Sequence, residues 1–131
     1  MTYYIVDTHG LVWFLEKSPK LGEKAREVFL DEDSNLIIPT IVLAEIKFLF
    51  DKNRFSTSLN EVFSIIIDDP RCIVHPLDLD VIGLLPTTLE IHDAIIVATG
   101  LLFKKRTTSE DVVVITKDVE ITNSKLVKTI W

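Results

Sequence analysis

Apolar and polar positions alternate along the chain in blocks that read as strand, helix, strand. TYYIV opens it, aromatic and β-branched without polar alternation, and predicts a short buried strand over 3–7. A helix is expected over 8–16, stopping before Ser18-Pro19. Those two residues predict the start of a second helix, with Ser18 as N-cap and Pro19 at the first helical position. Leu21, Ala25, Val28 and Phe29 follow at helical spacing. Residues 35–38 predict a second strand closed by Pro39, and 40–51 a largely buried helix. Ser58-Leu59-Asn60-Glu61 is a capping-box pattern opening a helix to about Ile67. Further strands are expected at 71–75, 112–116 and 126–130, and further helices at 78–84 and 90–104. Lys104–Asp111 reads as an exposed polar loop.

Strands and helices alternate, and no tight hairpin signal joins two strands. The order predicts an α/β fold, a parallel sheet with helices on both faces. The 131 residues are expected to form a single domain, and 47% hydrophobic content is ample for a core. No apolar run reaches the roughly 20 residues a membrane helix needs. With no leader peptide expected at the strand-like start, the simplest location is the cytoplasm. The one cysteine, Cys72, excludes an internal disulfide and a cysteine-rich zinc site, and reads as an inert thiol on a buried strand.

Four acids stand against this apolar background: Asp7 after YYIV, Glu45 in IVLAEIKFLF, Asp93 in IHDAIIVATGLLF, and Asp118 beyond VVVIT. Buried carboxylates are costly unless neutralised, and several together raise one another's pKa. A hard divalent cation, Mg²⁺ or Mn²⁺, removes both problems because it prefers oxygen ligands. In a parallel α/β sheet, ligands bind beyond the carboxyl ends of the strands. Asp7 and Asp118 follow strands, and Glu45 and Asp93 lie in early helical turns, so all four should face that edge. Plainer roles compete: a helix cap for Asp7, a lysine partner for Glu45, the helix dipole for Asp93, a turn for Asp118.

Net charge is −6, which disfavours a phosphate-binding surface. Bound metal would offset part of that charge. Basic residues also cluster, at Lys104-Lys105-Arg106 and at Lys47, Lys52 and Arg54. His9, His75 and His92 do not have the spacing of a metal site, and no P-loop, dinucleotide or serine-hydrolase motif is present.

IVDTHGLVWFL, LAEI, IHDAIIVATG and VITKDVEI, in that order, resemble the four motifs of PIN-domain ribonucleases. More narrowly they resemble the toxin subunits of VapBC-type toxin–antitoxin pairs. The resemblance runs the length of the chain; the polar stretch 104–111 departs from it. It implies a three-layer α/β/α sandwich. It places the family's metal-binding and catalytic acids on Asp7, Glu45, Asp93 and Asp118, and a hydroxyl near the site on Thr8 or Thr116. It implies Mg²⁺- or Mn²⁺-dependent cleavage of RNA, leaving a 5′-phosphate and a 3′-hydroxyl. It also implies a small VapB-like antitoxin as partner, and a homodimer. The antitoxin is expected on an apolar groove near the first helices, touching Trp13 and Phe14, unless both aromatics belong to the core. A structure-specific DNA nuclease, a non-catalytic binding module and an aspartyl-phosphate chemistry on Asp7 are the alternatives.

Overall fold

The computed structural model describes residues 1–52, 58–108 and 110–131. Its elements are β1 (Thr2–Val6), α1 (Thr8–Leu15), α2 (Glu23–Leu30), β2 (Asn35–Pro39), α3 (Thr40–Asp51) and α4 (Leu59–Asp68). There follow β3 (Cys72–His75), α5 (Leu79–Ile82), α6 (Ile91–Arg106), β4 (Asp111–Ile115), α7 (Val119–Ser124) and β5 (Lys128–Ile130). The strands form one five-stranded sheet in the order β3-β2-β1-β4-β5. All four pairings are parallel. The expected α/β/α sandwich is the observed fold.

The order explains the layers. The chain steps outward from β1 to β2 to β3, then returns across the sheet to place β4 on the other side of β1. Right-handed crossovers in opposite directions put helices on opposite faces. On one face, α1 packs on α2 and α3, and α3 on α4. On the other, α5 packs on α6, which lies across β1 and β4. The central strands contribute fully buried Ile5, Val6, Ile37, Ile38, Val114 and Ile115. On the α5–α6 side, Val81, Ile95, Ala98 and Leu102 form a second buried cluster.

Several boundaries depart from the sequence reading. Helix α2 begins at Glu23 behind Gly22, not at Ser18-Pro19. The reason lies at the end of α1. Lys17 takes a left-handed conformation with φ 54°. The Ser18 N–H then donates to Trp13 O at 2.8 Å, and the Lys17 N–H to Phe14 O at 3.1 Å. This is a Schellman closure, and Ser18-Pro19 belongs to the chain leaving it. Helix α6 extends to Arg106, so the first three residues of the predicted polar loop are its last turn. Lys104, Lys105 and Arg106 sit there, where cations favour the helix C-terminus. Arg106 also reaches Asp80 of α5 at 2.7 Å. Strand β3 is an edge strand with Ile73 and Val74 exposed, and Cys72 is half-buried rather than fully enclosed. Burial still pushes the Cys72 thiol up to about 11, which leaves it unreactive at neutral pH. Helix α7 had no counterpart in the sequence reading. Ser58 caps α4 as expected, accepting from Glu61 N at 3.2 Å. Arg54 lies outside the described residues. No helix among them is long and apolar enough to cross a membrane.

Gly100 is buried in the middle of α6, and a Cβ there would meet Ile5, Val114 and Val127 side chains at 3.5–3.6 Å, ordinary contact distance. Gly100→Ala is therefore expected to stabilise the fold by about 0.5–1 kcal/mol, through reduced backbone entropy of the unfolded chain. Gly22→Ala is expected to destabilise it, because a Cβ there would collide with the backbone and ring of Trp131. Urea midpoints of both variants check this. A destabilised Gly100→Ala would mean the layer between α6 and the sheet is tighter than described.

Candidate metal and phosphodiester site

The strand order reverses between β1 and β4, and the crevice beyond their carboxyl ends is where such sheets bind ligands. Asp7 leaves β1 at this point. Its N–H donates to Ile115 O of β4 at 3.3 Å, continuing the ladder by one rung. Its side chain caps α1, with Oδ1 accepting from Gly10 N at 2.7 Å. Gly10 is the residue that permits this, since a Cβ would stand 2.9 Å from that oxygen. Asp118 leaves β4 two residues beyond Thr116 and caps α7, its Oδ1 accepting from Ile121 N at 3.1 Å. Asp7 thus does take its plainer capping role, Asp118 caps a helix where a turn was the plainer expectation, and the caps fix both at the crevice. Asp93 stands in the first turn of α6, and Glu45 in the second turn of α3.

The electrostatics link the four as a chain, Asp7 to Asp118, and Asp93 to Asp118 and Glu45. Asp7 is only 7% exposed, and its carboxyl is raised above the usual range. Desolvation is the main cause, Asp118 adds to it, and hydrogen bonds from Thr116 and Gly10 oppose it. Asp93 is pushed up to about 6, first by desolvation, then by the charges of Asp118, Glu90 and Glu45. Each of the four expected acids therefore feels, or is felt by, another. Glu90 is a fifth acid that the sequence reading placed only as the start of a helix. It caps α6, accepting from His92 N at 3.0 Å and Asp93 N at 3.4 Å. An acid three residues before another at a helix start was the available signal.

The hydroxyls separate into two roles. Thr116 is buried and accepts from Asp118 N at 3.0 Å while also hydrogen-bonding Asp7, so it ties the two acids together. The Thr8 hydroxyl is buried and has no hydrogen-bond partner among the described residues. Thr8, His9, Glu45, Phe48, Lys52 and His92 line a groove of about 410 Å³ that opens from the acids. His75 is elsewhere, on the edge strand, 3.4 Å from Asp78 and edge-on to Phe103.

The donor set suits a hard divalent cation: carboxylates that repel one another, and a buried hydroxyl without a partner. No three acidic, histidine or cysteine side chains among the described residues are placed to enclose an ion between them. An ion bound here would have to complete its shell with water, as Mg²⁺ can.

No protein-family model matches the sequence, and no curated protein matches it. Solved structures do match in fold. VapBC2 from Rickettsia felis, bound to a DNA fragment from its promoter, matches with a TM-score of 0.66 and 17% identity over 99% of this chain and 98% of the other. FitAcB from Neisseria gonorrhoeae matches with a TM-score of 0.64 and 15% identity over 98% and 96%. These identities carry the fold alone. The assignment to VapBC-type toxin subunits and PIN-domain ribonucleases, drawn from the motifs, is corrected accordingly. The matches are described as VapBC2 with promoter DNA and as FitAcB, neither as a stand-alone PIN ribonuclease, and no family model supports the motif reading.

The raised carboxyls predict a pH dependence. The native state binds more protons than the unfolded chain between the ordinary value of 3.8 and about 6 for Asp93. Metal-free stability should therefore rise as pH falls from neutral through that window, as far as these groups control it. Asp93→Asn should flatten the rise and be at least as stable as wild type at neutral pH. Melting temperatures across pH, in chelator, check this. An unchanged profile in the variant would show that the Asp93 carboxyl is not raised in the folded protein.

Proposed function

We propose that this chain is a divalent-metal-dependent endoribonuclease and the toxin of a two-protein toxin–antitoxin pair. The observation that supports the nuclease reading is that Asp118 acts on both Asp7 and Asp93, and Glu45 on Asp93, beside the switch point of the sheet. A purely structural role would not put mutually repelling acids together, because removing any one would relieve the others. Asp7, Glu45 and Asp93 would supply the oxygen ligands, directly or through water. Asp118, held by its cap and by Thr116, would complete the shell or orient the attacking water. The cation, when bound, lowers the pKa of water and stabilises charge developing on phosphate oxygens. Thr8, His9 and His92, beside Glu45, stand where a substrate strand would pass.

The pairing with an antitoxin has separate support. One fold neighbour is VapBC2, bound to a DNA fragment from its promoter. In this chain an apolar groove of about 660 Å³ runs along α1, α2 and α4, lined by Trp13, Phe14, Leu21, Leu30 and Ile65. Trp13 and Phe14 serve both purposes considered for them. Phe14 stacks on core Phe29 at 4.5 Å, and Trp13 packs edge-on to Trp131 at 5.6 Å, yet both still line the groove. Leu30 and Ile65 are exposed at 65% and 47% and offer the cleaner test.

RNA incubated with the purified chain should be cut with Mn²⁺ or Mg²⁺ and left intact in chelator. Asp7→Asn and Asp93→Asn should each lower cleavage by about 10²-fold or more, the scale of losing a preorganised electrostatic contact. Cleavage that persists undiminished in either variant would contradict the assigned site. Expression of the chain alone should arrest growth, and co-expression of its antitoxin should relieve the arrest. Leu30→Asp with Ile65→Asp should fold, stay toxic and escape relief. Normal growth at high levels of folded protein would remove the toxin role while leaving the nuclease role standing.

A further inference from the structure

Beside the acids lies a second feature that the reaction has not used. The chain contains two tryptophans, and they meet: Trp13 and Trp131 are 5.6 Å apart, edge to face. The exposed ring of His9 is 5.2 Å from Trp13. Lys117 places its ammonium 4.6 Å from the Trp13 ring centre, and Lys20 places its own at 5.8 Å, both within cation–π range. Trp131 is seated against Gly22, where a side chain would not fit. Next to these rings opens a concavity of about 500 Å³ lined by Trp131, Lys24, Lys117, Thr116, Thr122 and Asn123. Thr116 is the residue that hydrogen-bonds Asp7 and Asp118, so this concavity and the acidic site share a wall.

Trp131 lines this concavity with Lys24 and Lys117 beside it. They match what a single strand offers, flat bases to stack and phosphates to neutralise. The cations are also placed against the charge of the molecule, which is −6 overall. Lys117 lines the concavity together with Thr116, whose hydroxyl accepts from Asp118 N, so a phosphate held by Lys117 there would lie on the side of the carboxylates. Resting on the nuclease reading above, we propose that Trp131, with Lys117 and Lys24, forms a stacking subsite, and that Trp13 holds the Trp131 ring in place from behind. The subsite would hold a base of single-stranded RNA next to the scissile phosphodiester and so favour single strands over duplex.

Trp131 lines this subsite and Trp13 packs against it, so the protein's tryptophan emission reports on it. The test titrates a short single-stranded RNA of mixed sequence, in chelator so that nothing is cut, while tryptophan emission and the anisotropy of the labelled RNA are read together. The expected result is saturable quenching that coincides with binding, and weaker binding of a duplex of the same sequence. Lys117 is exposed, so Lys117→Ala leaves the fold alone. It should weaken binding and lower the salt slope by ~1. Trp131→Phe, which keeps a smaller ring, should weaken binding less than Trp131→Ala. RNA that binds without changing emission, or equally to Lys117→Ala, overturns the subsite. So does RNA that fails to bind, or a duplex that binds as well. The two readings separate cleanly. Quenching without any cleavage in Mn²⁺ keeps the subsite and refutes the nuclease; metal-dependent cleavage without quenching does the reverse.

Discussion

The constraint on which this structure turns is the crowding of like charge at the end of its most apolar strands. β1 and β4 are buried at their carboxyl ends, through Val6 and Ile115, and the chain then places Asp7 and Asp118 directly beyond them. Helices α6 and α3 add Asp93 and Glu45, and Glu90 adds a fifth charge. Local structure holds these acids in place whatever they do for each other. Asp7 caps α1, Asp118 caps α7 and Glu90 caps α6. Helix N-termini offset part of the repulsion with their own partial positive charge. Burial is the main reason that the carboxyls of Asp7 and Asp93 are both held above the ordinary range, and the neighbouring charges add to it. The fold stores that strain at one edge, where a cation would relieve it.

Around this centre the surface divides. One groove, with Thr8, His9 and Glu45, opens from the acids toward α3. A second surface, with Lys117 and Trp131, adjoins them across Thr116. The apolar groove of α1, α2 and α4 meets the second surface at Trp13, whose ring faces Trp131 and Lys117 yet lines the apolar groove as well. A single aromatic residue therefore separates the proposed strand path from the proposed protein contact.

The alternation of strands and helices, and with it the parallel sheet and the sandwich, was legible because the strands are continuous apolar runs and the helices carry periodic ones. The convergence of Asp7 and Asp118 followed from segment order, since both close strands that became neighbours. The boundaries that were missed share a physical cause. The turn after α1 and the turn after α7 each use a lysine in the left-handed region, Lys17 and Lys125, where glycine is the usual marker. With no glycine to read, α2 was placed too early and α7 went unseen. The lysine-rich run at the end of α6 looked like a loop because its charge suits a helix C-terminus as well as water. The aromatic cluster was beyond reach for a different reason. Its members come from positions 9, 13, 117 and 131, and only the closed sheet brings them together.

The central claim is that these carboxylates repel one another until a cation joins them. Its most direct test compares melting temperatures of the wild type and Asp93→Asn, each in chelator and in Mn²⁺, at neutral pH. Binding to the native state stabilises it by RT ln(1 + [L]/Kd), roughly 2.7 kcal/mol at a hundredfold excess over Kd. For a chain of this size that is a shift of several degrees. The account predicts a crossing: the variant melts at or above the wild type in chelator, and below it once Mn²⁺ is present. Equal responses of the two proteins to the ion would contradict it, because the acids would then not form a metal site.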